Sequence, residues 1–91
     1  MDNNINSNHP YIGVWATRNG FIRQEILPTG RYDEARAASP NVQTGRYSID
    51  DDHIEYITDT GLHTSGDFQG NVLYYAGHIF YRQDRLSGVS H

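Results

Sequence analysis

From residue 11 onward the chain runs in short stretches that alternate between apolar and polar positions. Ile22, Gln24 and Ile26 are separated by Arg23 and Glu25, and Ile54 and Tyr56 by Glu55. A period of two is the mark of a strand with one buried face, and no stretch sustains the 3.6-residue repeat of a helix. Each alternating run stops at Gly, Pro, Asn or Asp. These stops divide the chain into eight strands, at residues 11–17, 21–27, 31–37, 45–50, 53–59, 62–69, 72–76 and 79–83. Asn19-Gly20 is a strong hairpin signal, and Pro28-Thr29-Gly30 supplies a second turn with a glycine free to take positive φ. Residues 37–44, which contain the pair Pro40-Asn41, read as a longer loop.

Eight short strands with tight connections predict an all-β fold, an eight-stranded antiparallel up-and-down barrel. Closure leaves no open sheet edge. A barrel of this size has an interior filled by side chains, or just wide enough for one small ligand. Residues 10–84 make one barrel domain. Residues 1–9 read as a disordered N-terminal tail and residues 85–91 as a flexible C-terminal tail.

Turn lengths set a register. A two-residue turn at Asn19-Gly20 aligns Thr17 with Ile22 and Trp15 with Gln24. A three-residue turn at 28–30 then aligns Ile26 with Tyr32, Gln24 with Glu34 and Ile22 with Arg36. This puts Tyr32, Glu34 and Arg36 on the inward side with Trp15, and sets Glu25 against Asp33 outside, an unfavourable like-charge pair. A two-residue turn would slip the register by one and flip the third strand. Further on, Ile49 aligns with Ile54 and Tyr47 with Tyr56, while Leu62, Phe68, Leu73 and Tyr75 join the interior as apolar residues. The predicted interior has an apolar end and a polar, aromatic end. The polar end holds Trp15, Thr17, Gln24, Tyr32, Glu34, Arg36, Tyr47, Tyr56 and Thr58.

Composition sharpens this. Ninety-one residues with only 36% hydrophobic content make a small core, and seven Tyr, three Phe and one Trp mean that much of it is aromatic. Buried tyrosine hydroxyls need partners. There is no cysteine, so disulfide and thiol chemistry are excluded. No apolar run reaches the roughly 18–20 residues of a membrane span, and no signal peptide is visible, so a soluble cytoplasmic protein is expected. The net charge is −4, and the basic residues are seven scattered Arg with no Lys. That argues against nucleic acid as a partner and removes Schiff-base catalysis.

Five histidines invite a metal site, but no two stand at the i, i+2 spacing that puts paired ligands on one strand face. Asp50-Asp51-Asp52 lacks the alternating ligands and later Glu of a calcium loop. No serine sits in a nucleophile elbow. No metal and no cofactor are therefore expected. Glu34 and Asp67 are the candidates for acid–base catalysis, should the cavity be catalytic.

The motifs resemble known architectures. Gly13-Val14-Trp15 is similar to the opening of the first strand in streptavidin-like and lipocalin-like barrels. Gly30-Arg31-Tyr32-Asp33-Glu34 resembles the third strand of streptavidin-like proteins, whose Tyr and the residue two further on face the ligand. In that comparison residues 37–44 stand where the fold carries a ligand-covering loop. A single Trp, and Thr17 near where that fold uses Asn, argue against biotin. A closer resemblance is to a small bacterial family first described from Agrobacterium, which has a streptavidin-like barrel and no assigned reaction. It rests on His9-Pro10-Tyr11, Gly13, Trp15, Gly30 through Arg36, Gly45-Arg46-Tyr47, Ile54-Glu55-Tyr56, Asp59-Thr60-Gly61 and Gly66-Asp67-Phe68. It covers roughly residues 9–82.

Together these observations point to a barrel that binds a small polar or aromatic ligand through Trp15, Thr17, Gln24, Tyr32, Glu34, Arg36, Tyr47, Tyr56 and Tyr75, with residues 37–44 as a lid. Two alternatives remain: a cofactor-independent isomerase or cyclase using the same cavity, and a solid barrel whose outer face joins a partner or a second copy as a homodimer.

Overall fold

The computed structural model describes residues 10–83. The tails expected at 1–9 and 85–91, and the end of the domain at residue 84, lie outside the described residues. Eight strands form a closed barrel in sequence order: β1 (Gly13–Thr17), β2 (Ile22–Ile26), β3 (Arg31–Arg36), β4 (Ser39–Asp50), β5 (His53–Thr58), β6 (His63–Gln69), β7 (Val72–Tyr75) and β8 (His78–Arg82). Every neighbouring pair is antiparallel, and β8 closes on β1 through Trp15 opposite Arg82 and Thr17 opposite Phe80. The described residues contain no helix, and so none long and apolar enough to cross a membrane.

The expected register holds in the first three strands. Trp15 faces Gln24, while Gln24 faces Glu34, Ile26 faces Tyr32 and Ile22 faces Arg36. Leu27 N donates to Arg31 O at 2.9 Å and Gly30 N to Leu27 O at 3.3 Å, which closes the three-residue turn. Glu25 does oppose Asp33 on the outside.

Three expectations fail. First, residues 37–44 are not a loop. β3 and β4 form a hairpin through Ala37-Ala38, and β4 is 12 residues long. Pro-Asn reads as a loop breaker, but here it marks a bulge. The pairing jumps from Glu34 opposite Gln43 to Arg36 opposite Ser39, and the surplus β4 residues include Pro40, which has no N–H to contribute, and Asn41 at φ 55°. Bulges accommodate such residues by bending one strand. Second, Leu62 is 65% exposed. Its parity points inward, but it stands in the turn before β6, past the end of the barrel wall. Third, Arg18 to Phe21 form a wider loop than a two-residue turn: Gly20 N donates to Thr17 O, and Asn19 Oδ1 accepts from Phe21 N at 2.9 Å.

The core runs along the whole lumen. Trp15, Ile22, Ile26, Tyr32, Tyr47, Ile54, Tyr56, Phe68, Leu73, Tyr75 and Phe80 make one buried cluster, and each such side chain contributes roughly 1.5–3 kcal/mol on burial. One end is sealed. Tyr11 stacks on Phe68 with ring centroids 3.8 Å apart and its hydroxyl bonds to Asp52. Trp15 Nε1 donates to Tyr11 O at 3.0 Å, and the Arg82 guanidinium lies 4.7 Å from the centre of the Trp15 ring. Arg82 also donates to the carbonyls of Pro10 and Ile12.

The two Gly-Arg-Tyr motifs need their glycines for different reasons. Gly30 takes φ 90° in a turn, a conformation side chains rarely adopt. Gly45 faces into the barrel between Tyr32 and Thr58, and a Cβ there would meet Ile57 O at 2.2 Å and Thr58 Cα at 2.7 Å. Both obstacles are backbone and cannot swing aside. Gly45→Ala is expected to cost about 3 kcal/mol or to prevent folding, measured as the urea midpoint. A loss under about 0.5 kcal/mol would mean that the β4–β5 approach is looser than described.

Candidate functional site

The end of the barrel opposite the Tyr11 seal carries the polar side chains. It is bounded by the β1–β2, β3–β4, β5–β6 and β7–β8 connections. Alternation puts Gln24 of β2 and Glu34 of β3 inside, directly opposite each other, with Arg36 two residues beyond Glu34 on the same face. Gln24 is 0% and Glu34 2% exposed. A buried carboxylate is costly unless it is paired and hydrogen-bonded, and its surroundings show how this one is held.

Tyr56 of β5 donates its phenol proton to Gln24 Oε1 at 2.5 Å. That contact turns the other half of the amide, Nε2, toward Glu34 Oε1 at 3.5 Å. Arg36 Nε donates to Glu34 Oε2 at 3.2 Å. Both contacts are long beside the roughly 2.7–2.9 Å of a strong charge-assisted bond, so the carboxylate keeps accepting capacity. Arg36 is 51% exposed. Its Nε is committed to Glu34, while its two terminal nitrogens have no hydrogen-bond partner among the described residues.

Three tyrosines surround this pair. Tyr32 and Tyr56 meet edge to face at 4.8 Å, and Tyr56 and Tyr75 lie 4.7 Å apart. Gln43 Nε2 donates to the Tyr32 hydroxyl at 3.5 Å, and Thr64 shares a hydrogen bond with the Tyr75 hydroxyl at 3.3 Å. Burial pushes the Tyr32 phenol up to about 12, with neighbouring Tyr75 adding to it. Burial also raises Tyr56 well above its ordinary value, and Tyr75 above its own. The Tyr75 phenol feels Glu34 and Arg36 in opposite senses, so it lies within electrostatic reach of both. At neutral pH all three are protonated hydroxyls. The site thus offers neutral donors, an outward guanidinium edge and a carboxylate behind it.

Gln24, Tyr32, Glu34, Arg36, Tyr56 and Tyr75 therefore come together, as the sequence suggested. Trp15 and Tyr47 do not. Trp15 belongs to the sealed end, and the Tyr47 hydroxyl donates to Leu27 O at 2.5 Å beside the β2–β3 turn. Alternation tells which face a residue occupies but not how far along the barrel it sits. Thr17 stands at this polar end, but its hydroxyl bonds to Asn19 Oδ1 at 2.9 Å within the β1–β2 connection. Asp67 points outward and does not share a site with Glu34. Its carboxylate lies 3.0 Å from His53 Nδ1, and Glu55 lies 2.6 Å from Nε2. Asp67 first and Glu55 second hold the imidazole above its usual range. No group of three or more His, Asp or Glu among the described residues is arranged to hold a metal. Gln43 and Thr64 were missed, although both carry the inward parity of their strands.

A family profile described as Agrobacterium tumefaciens protein Atu4866 matches residues 8–82. The chain belongs to this family. The solution structure of the protein Atu4866 from Agrobacterium tumefaciens is 49% identical in sequence, with a TM-score of 0.74, over 84% of this chain and 98% of that one. A comparison with curated proteins gives no match. Two of the motifs that carried the resemblance meet in space: Arg31 of the first Gly-Arg-Tyr makes a two-pronged pair with Asp59 of the Asp59-Thr60-Gly61 turn, at 3.1 and 2.9 Å.

The buried phenols set a pH dependence. A phenol whose folded pKa exceeds its unfolded value near 10 binds its proton longer when folded. Stability is then complete below about pH 10 and falls as pH rises toward the folded value. Tyr32 alone contributes a loss on the order of 2 kcal/mol by pH 12. Urea midpoints from pH 8 to 11.5 are expected to drop, and Tyr32→Phe to lessen the drop. A flat profile would contradict the buried hydroxyls.

Proposed function

We propose that the protein binds a small polar molecule at the open end of its barrel. The observation that carries this reading is the inward Glu34–Arg36 pair, with the guanidinium edge turned to solvent and three protonated tyrosines around it. The lumen beneath is filled by side chains from Tyr56 to the Tyr11 seal. The ligand accordingly sits in the mouth, against Arg36, Gln43, Thr64 and Tyr75, rather than deep inside. The likeness to streptavidin-like barrels supports this use of the third strand, since Tyr32 and Glu34 both face inward. The bulged β3–β4 hairpin stands beside the mouth in place of the loop that the likeness suggested as a lid. The test is a screen of polar metabolites by heteronuclear NMR. We expect ligands that shift the Glu34, Arg36, Thr64 and Tyr75 signals and leave Trp15 and Tyr47 undisturbed. A broad screen in which nothing perturbs the mouth overturns the reading.

A second reading, a protein-interaction module, is favoured by a separate observation. Phe21, Val42, Leu62 and Ile79 are exposed; Phe21 and Leu62 stand in connections at that same end, Ile79 near the start of β8 and Val42 in the bulged segment of β4. Exposed apolar residues gathered in one region mark interaction sites. Here the rim would join two copies. Sedimentation is expected to show a dimer that Leu62→Glu dissociates, and a monomer across the micromolar range would rule it out.

A further inference from the structure

Resting on the reading of the mouth as a small-molecule site, we propose that its ligand is a carboxylate, received by the terminal nitrogens of Arg36 with Glu34 acting as the positioning residue behind it. A guanidinium has five N–H donors in a rigid plane, enough to serve two carboxylates at once. Glu34 takes only the Nε side, at 3.2 Å. The opposite edge, Nη1 and Nη2, presents two parallel donors, the fork that matches the two oxygens of a carboxylate.

Glu34 does more than neutralise. It is 2% exposed, while Arg36 is 51% exposed, so the carboxylate is fixed and the arginine is the mobile partner. Glu34 is fixed in turn by Gln24 Nε2, whose amide is oriented by the Tyr56 phenol. A free surface arginine loses much rotamer freedom when it captures an anion. One tethered at Nε to a buried anchor has already lost part of it, so less affinity is spent on ordering. Around the anchored fork lie the Tyr75 and Thr64 hydroxyls, themselves 3.3 Å apart, and the Gln43 amide. These are neutral donors that suit an anionic acceptor. An ammonium ligand finds the arrangement reversed. It would meet Arg36 first, and the carboxylate it wants is covered.

The same edge could receive phosphate, so the test has separate arms. The probes are benzoate, benzamide and inorganic phosphate, titrated at constant ionic strength while the Arg36 Nε–H and Thr64 amide signals are followed. Benzoate is expected to saturate both signals, with benzamide at least about tenfold weaker, since the charged partner is lost. Phosphate binding as tightly as benzoate would overturn the preference for a flat carboxylate. Arg36→Lys keeps the charge but not the fork, and is expected to weaken benzoate at least about fivefold while the protein stays folded. Glu34→Gln removes the anchor and is expected to weaken benzoate while freeing the Arg36 side chain, seen as faster solvent exchange and a broadened Arg36 Nε–H signal. Benzamide matching benzoate, or Arg36→Lys binding it unchanged, would overturn the proposal. If the metabolite screen finds only neutral or cationic ligands in the mouth, this inference falls and the mouth reading stands. If it finds nothing there, both fall.

Discussion

A negative charge turned toward the inside of a small barrel has to be held, and this chain places the holder two residues along the same strand. Glu34 lies below the surface and Arg36 reaches back to it from the rim. The pair sets the polarity of one end of the barrel. The opposite end instead closes over Phe68 with a stacked Tyr11 ring. Gln24 and Tyr56 exist in their observed orientations because the carboxylate does: the phenol occupies the amide oxygen, so the amide nitrogen faces the charge.

That arrangement depends on a single turn. Pro28-Thr29-Gly30 brings Gln24 opposite Glu34, and one residue fewer would send Tyr32, Glu34 and Arg36 outward together, because side chains alternate strictly along a strand. Gly45 makes the next strand's approach possible on the same level, opposite Tyr32. The Arg31–Asp59 pair then ties the start of β3 to the turn after β5 on the outer surface. That pair is well exposed and worth little by itself, but it joins two motifs that are far apart in sequence.

Much of this was legible in the chain, and most of the misplaced residues share a cause. Turn lengths fixed which residues face each other, so the pairings of Trp15, Gln24, Glu34, Tyr47 and Tyr56 could be counted. Height along the barrel could not, because strand tilt and stagger are properties of the closed sheet. Hence Trp15 and Tyr47 were assigned to the polar end and stand at the sealed one, and Leu62 was assigned inward but stands beyond the wall. Pro40-Asn41 reads as a loop because proline ends most strands, yet a bulged strand near a barrel rim tolerates it. Arg82, which the sequence pattern did not single out, packs its guanidinium over the Trp15 ring. Its inward parity, opposite Trp15, was the available signal that it packs against the indole.

The most direct measurement is a double-mutant cycle on urea unfolding with Glu34→Gln, Arg36→Gln and the double variant. If the rim arginine holds the buried carboxylate, the two changes couple by about 1–2 kcal/mol, because removing either partner alone leaves the other without its counter-charge. Additivity within about 0.3–0.5 kcal/mol would mean that the two groups act independently. The polar mouth would then have no organising pair.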